Sequence, residues 1–77
     1  MIVKILGTGC KKCVTLAENT QQALANLGID AQIVKITDIA EIAAHGVMST
    51  PALAIDDRVV STGKVLTPSQ IEAMLKG

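Results

Sequence analysis

Thr8-Gly9-Cys10-Lys11-Lys12-Cys13 is the stretch that decides how this chain is read. It holds both cysteines of the protein at Cys-x-x-Cys spacing. Before it runs Met1-Ile2-Val3-Lys4-Ile5-Leu6, apolar apart from Lys4 and rich in β-branched residues, which predicts a strand buried on both faces. Gly7-Thr8-Gly9 predicts a turn out of that strand. After it the pattern becomes helical: Cys13, Leu16, Ala17, Thr20, Leu24 and Leu27 recur at steps of three and four and make one face. Two thiols so spaced can close a small disulfide ring or grip a soft metal, and this stretch alone leaves both readings open.

Composition narrows the classes. Seventy-seven residues predict one domain over 1–77. The chain is 49% hydrophobic with no Phe, Tyr or Trp, so its core must come from Ile, Leu, Val, Ala and Met. Net charge is zero, which gives no basic field for a phosphate backbone. The lack of aromatic stacking platforms argues further against nucleic acid. The N-terminal apolar run ends at Gly7, too short for a signal-peptide core or a membrane span. A cytoplasmic protein without a membrane partner is expected. In a reducing compartment a close Cys pair is more often catalytic or metal-binding than a structural staple.

The remaining elements follow in order. Gly28 is placed as a left-handed helix cap, and Asp30 to Thr37 holds a second strand centred on Ile33, Val34 and Ile36. Asp38-x-x-Glu41 reads as a capping box for a short helix whose buried side would be Ile39, Ile42 and Ala43. Gly46 ends that helix, with His45 in its last turn. A loop over Val47 to Thr50 leads through Pro51 into the strand Ala52-Leu53-Ala54-Ile55. Asp56-Asp57 is a turn, Arg58 to Ser61 returns antiparallel, and Gly63 marks a break, a bulge or a close approach. Thr67-Pro68-Ser69-Gln70 opens a last helix with Ile71, Met74 and Leu75 on its apolar face. The order β-α-β-α-β-β-α implies a right-handed parallel crossover and a closing hairpin. Together these make a mixed four-stranded sheet with helices on both faces.

In that setting the two thiols are unequal. Cys10 falls at or just before the first helical turn, where free amides carry about half a positive charge and stabilise an anion. Thiols so placed have pKa values of about 3.5 to 7.5, against about 8.5 when free. Cys13 lies on the apolar side and should keep its proton longer. That asymmetry suits exchange: Cys10 attacks a disulfide, and Cys13 resolves the mixed disulfide to leave a Cys10-Cys13 ring. Lys11 and Lys12 are cations in a first turn, each opposing the helix dipole by ~0.3–1 kcal/mol. Either they are compensated by a Cys10 thiolate, whose pKa they help tune, or they bend into solvent. In the first case the reduction potential should sit toward the oxidising side.

Two features together resemble the thioredoxin-fold oxidoreductases, most closely their small, glutaredoxin-like redox-active disulfide branch. One is Gly9-Cys10-Lys11-Lys12-Cys13 between the first strand and helix; the other is Ser49-Thr50-Pro51 just before the third strand. The resemblance covers essentially the whole chain and implies a thioredoxin-like three-layer α/β sandwich. It implies a cis Pro51 lying against the disulfide and a Thr50 backbone that pairs with substrate. Thioredoxins typically carry Trp before the first Cys and Gly-Pro between the pair, where this chain has Gly9 and Lys11-Lys12. Glutaredoxins commonly carry Pro-Tyr between the pair and a Gly-Gly or Gly-Cys-Asp after the fourth strand, where Thr62-Gly63-Lys64 stands here; this argues against a glutathione site.

The rival is a soft-metal domain binding Cu(I) through two thiolates, or zinc with a second copy or His45 completing four ligands. The heavy-metal-associated domains usually have Met two residues before the first Cys, where this chain has Thr8. They also continue into a hairpin, where this chain has a strand, a helix and Ser49-Thr50-Pro51. A thioredoxin-like interaction module with a vestigial pair fits two intact cysteines worst. His45 reads as a helix-terminal residue, and Met48 and Met74 as fillers of core or loop space. The expectation is a thiol-disulfide oxidoreductase with no metal or organic cofactor. It would be a monomer, exchanging with a protein disulfide or dithiol and recharged by a reductase or small thiol.

Overall fold

The computed structural model describes residues 1–76. Strand β1 (Ile2–Leu6) leads to helix α1 (Lys11–Leu27), then β2 (Gln32–Ile36), α2 (Ile39–Ala44), β3 (Ala52–Ile55), β4 (Arg58–Thr62) and α3 (Pro68–Lys76). This is the expected order. The four strands form one sheet, β2-β1-β3-β4. β1 pairs parallel with β2, and β3 pairs antiparallel with both β1 and β4.

The alternation of β1 sorts its side chains between two layers. Val3 and Ile5, with Leu53 of β3, pack under α1 and α3 against Leu16, Ala17, Ala23 and Ile71. Leu6, Ala52 and Ala54 face the other way and meet Ile42 and Val47. Period two puts successive residues of a strand on opposite faces, and helices cover both. Asn19 of α1 donates to the Leu66 carbonyl ahead of α3, which ties the two helices of the larger layer.

Local signals explain most boundaries. Gly28 caps α1 at φ 66°, with its amide donating to Ala25 and the Ile29 amide to Leu24. The capping box of α3 forms in full: Thr67 Oγ1 accepts from the Gln70 amide at 3.2 Å, and Gln70 Oε1 accepts from the Thr67 amide at 3.0 Å. Asp56 and Asp57 both take left-handed φ, 50° and 66°, as a two-residue hairpin turn requires.

Three expectations are corrected. β1 is not buried along both faces: Ile2 is exposed, and Lys4 reaches out to pair with Asp57, holding that carboxyl below its ordinary pKa. In α2 only Ile42 is buried; Ile39 is 72% exposed and Ala43 is also exposed. A six-residue helix makes under two turns, and here only one side chain lies over the sheet. The α2 cap is also half of what was expected. Asp38 accepts from the Ala40 amide at 2.9 Å, and among the described residues Glu41 returns no bond.

Candidate active site

β1 ends at Leu6, and Gly7 carries the chain past the sheet, its amide still bonded to Ile36 O at 2.9 Å. Thr8 and Gly9, the latter at φ 86°, turn the backbone into α1. Cys10 is the N-cap residue with extended φ and ψ (−67°, 168°), and Lys11 is the first helical residue. The turn therefore sets the first thiol at the open amide end of the helix. The first turn carries no acidic residue to compete for those amides.

One helical turn separates the two cysteines and gives them opposite surroundings. Cys10 is exposed and Cys13 is 5% exposed. Their sulfurs face each other at 2.7 Å. The Cys10 thiol has its pKa lowered, first by the hydrogen bond from Cys13 and then by the Cys13 backbone N–H; desolvation opposes, and the backbone N–H groups of Lys12 and Cys10 add smaller contributions. Cys10 forms no regular capping hydrogen bond, so those amides act on its sulfur mainly through their dipoles. The Cys13 thiol has its pKa raised, first by burial and then by donating to Cys10. Of the two thiols Cys10 is therefore the more readily ionised.

Pro51 is the third member. The Thr50-Pro51 bond is cis, as the resemblance implied, and Pro51 is fully buried. The register that sets Leu6 opposite Ala52 brings Pro51 beside Gly7, and so beside Cys13. The Pro51 carbonyl accepts from the Gly63 amide at 2.9 Å, which anchors the loop to the end of β4. Thr50 is exposed, and among the described residues its backbone N–H and C=O find no backbone partner. Next to it an open groove of about 290 Å³ runs past Thr8, Ile39 and Met48; Met48 is 94% exposed.

The remaining candidates divide. Lys11 and Lys12 lie between the two cysteines and are exposed at the helix start. His45 lies at the far end of α2 with its ring Nδ1 2.7 Å from Glu41 O. Among the described residues no group of three or more His, Cys, Asp or Glu is placed to hold a metal ion, and no helix is long and apolar enough to cross a membrane. A zinc site would thus need ligands from outside this group. Gly7 was read as a simple turn residue, yet it is buried between Cys13 and Pro51. Ile39 was read as core, yet it stands at the groove. Gly7's position next to Cys-x-x-Cys could have drawn notice; nothing in the local pattern marked Ile39.

Comparison with known proteins agrees with this geometry. A family profile described as a thioredoxin domain matches residues 1–76. A protein named thioredoxin from Methanocaldococcus jannaschii is 46% identical over 76 residues, covering 99% of this chain and 87% of its own length. Another of that name, from Methanothermobacter thermautotrophicus, is 36% identical over 75 residues, covering 97% of each. Neither carries the glutaredoxin name that the resemblance also suggested.

Proposed function

The chain belongs to the thioredoxin-domain family, and from that premise we propose that it is a thiol-disulfide oxidoreductase in which Cys10 attacks and Cys13 resolves. The observation that carries this is the divided pair: an exposed thiol with a lowered pKa, 2.7 Å from a buried thiol with a raised one.

The steps balance as follows. The Cys10 thiolate attacks one sulfur of a target disulfide. A Cys10–target bond forms, the target's own S–S bond breaks, and the departing sulfur leaves as a thiolate. Cys13 then gives its proton to solvent and attacks Cys10 Sγ, which forms the Cys10-Cys13 disulfide and releases the second target thiolate. Two electrons have passed from the protein to the target. The reverse sequence, with a reductase dithiol or a small thiol as donor, recharges the pair.

Thr50 and Pro51 shape the substrate groove. The unpaired Thr50 backbone offers one N–H and one C=O to an extended partner segment, which supports pairing by strand addition. Exposed Ile39 and Met48 give such a segment apolar surface to cover. Lys11 and Lys12 place positive charge near the Cys10 thiolate and contribute a small, salt-sensitive part of its stabilisation. The partners are protein disulfides and a reductase or small thiol. The domain match over residues 1–76 supports one functional unit, working in the cytoplasm, where reducing conditions return the pair to the dithiol.

Trapping tests the roles. Cys13→Ser should hold a mixed disulfide on Cys10, visible as an adduct by intact mass, whereas Cys10→Ser should not. The opposite pattern reverses the assignment, and no adduct with either variant overturns exchange.

A further inference from the structure

Gly7 is buried at the end of β1, and its backbone has no need of glycine: its φ lies outside the left-handed region that Gly9, Gly28, Gly46 and Gly63 occupy. Its lack of a side chain matters for a different reason. A Cβ at Gly7 would lie 2.3 Å from Cys13 Sγ and 3.3 Å from Cys13 Cβ, with Pro51 Cα at 3.8 Å. The volume a side chain would fill is the volume the Cys13 sulfur occupies.

We propose that Gly7 is a positioning residue of the exchange site, the floor on which the Cys13 sulfur rests so that it points at Cys10. The assignment rests on the exchange reading given above. Two neighbours fix the floor itself. The Gly7 amide is bonded to Ile36 O of β2, and the Pro51 backbone also borders the position a Cβ would take. The Gly7 backbone therefore has little freedom to retreat. Cys13 Cβ is held by α1 and meets the new atom only slightly inside ordinary contact, so the sulfur must yield most. Ordinary contact begins at 3.4 Å, and reaching it from 2.3 Å requires a displacement of about 1 Å. That displacement cannot run toward Cys10, which is already at 2.7 Å, so it carries the sulfur off the line of attack. Misplacing a reacting group by about 1 Å can cost on the order of a hundredfold in rate.

Two measurements test this. In the first, Gly7→Ala and Cys13→Ala are made singly and together, and the reduced proteins are unfolded in urea. Gly7→Ala should lower the midpoint in the parent and leave it nearly unchanged in the Cys13→Ala background, where the colliding sulfur is gone. If Gly7→Ala alone does not fold, recovery of a folded double variant gives the same support. Additive losses, or an unfolded double variant, overturn the proposal. In the second, the reduced protein reacts with an aromatic disulfide, dithiobis(nitrobenzoate), which releases one coloured thiolate when Cys10 attacks and another when Cys13 resolves. Gly7→Ala should slow the second release on the order of a hundredfold and spare the first. Gly28→Ala, at the far end of α1, should destabilise without changing either phase. A parent protein with no second release sinks the exchange reading itself; a parent with it, matched in rate by Gly7→Ala, sinks only the role of Gly7.

Discussion

The amide of Gly63 donates to the carbonyl of Pro51 at 2.9 Å, so the end of β4 holds the loop that borders the cysteine pair. Gly63 takes φ 68°, and a Cβ there would approach Ser49 Cβ at 3.1 Å. Gly63→Ala should therefore cost about 1–2 kcal/mol for the left-handed backbone of a non-glycine residue. It should also displace Ser49 and with it the Thr50-Pro51 segment. Urea unfolding gives the stability loss. Exchange with a protein disulfide should slow more than exchange with a small one, because the small substrate does not need the Thr50 backbone. Equal slowing of both would remove the loop from substrate recognition.

The opposed shifts of the two thiols give the reduced protein a two-sided pH dependence. Cys10 has a folded pKa below its ordinary value, so its contribution is full above that ordinary value and is lost as pH falls through the lowered pKa. Cys13 has a folded pKa above its ordinary value, so its contribution is full below that ordinary value and is lost as pH rises through the raised pKa. Urea midpoints of the reduced protein should rise with pH on the first limb and fall on the second. Cys10→Ser should abolish the rise; Cys13→Ala should abolish the fall and also weaken the rise, because Cys13 is the largest cause of the Cys10 shift. A flat profile in the parent would refute the asymmetry.

The order of causes at Cys10 ranks its neighbours. The Cys13 thiol is the largest influence on the Cys10 pKa, and the next are backbone amides that a side-chain substitution leaves in place. Cys13→Ala should thus raise the Cys10 pKa more than the double change Lys11→Gln and Lys12→Gln. The lysine effect should fade in 1 M salt, where screening acts over about 3 Å. Far-UV thiolate absorbance reads both, with no Tyr or Trp to obscure it. A larger effect from the lysines would invert the ranking.

The reciprocal cap of α3 should behave as a stability element remote from the chemistry. Thr67→Ala removes the acceptor for the Gln70 amide and should cost about 0.5–2 kcal/mol. Thiol titration and exchange rates should be unchanged. A shift in either would mean that α3 communicates with the pair through the layer it shares with α1.

Much of this was legible in the chain because it depends on residues close in sequence. The Thr67 box, the Gly28 cap and the Asp56-Asp57 turn each satisfy backbone groups within a few positions, so local chemistry identifies them. The inequality of Cys10 and Cys13 was legible for the same reason, since one helical turn divides exposed end from buried face. The short helix α2 was misread because capping and periodicity are weak over six residues. Which side chains it buries depends on the sheet beneath it, as exposed Ile39 and buried Ile42 illustrate.

The sequence by itself determined the order of elements, a mixed sheet covered by helices on both faces, and a thiol at a helix start. It named Pro51 only through resemblance. Tertiary structure alone decided what meets what: that pairing of β1 with β3 brings Pro51 to Gly7, that Gly63 bonds back to Pro51, and that the Cys13 sulfur fills the space of the side chain Gly7 lacks. These contacts join residues far apart along the chain. Their distances are set by sheet register and helix packing, and no local pattern encodes either.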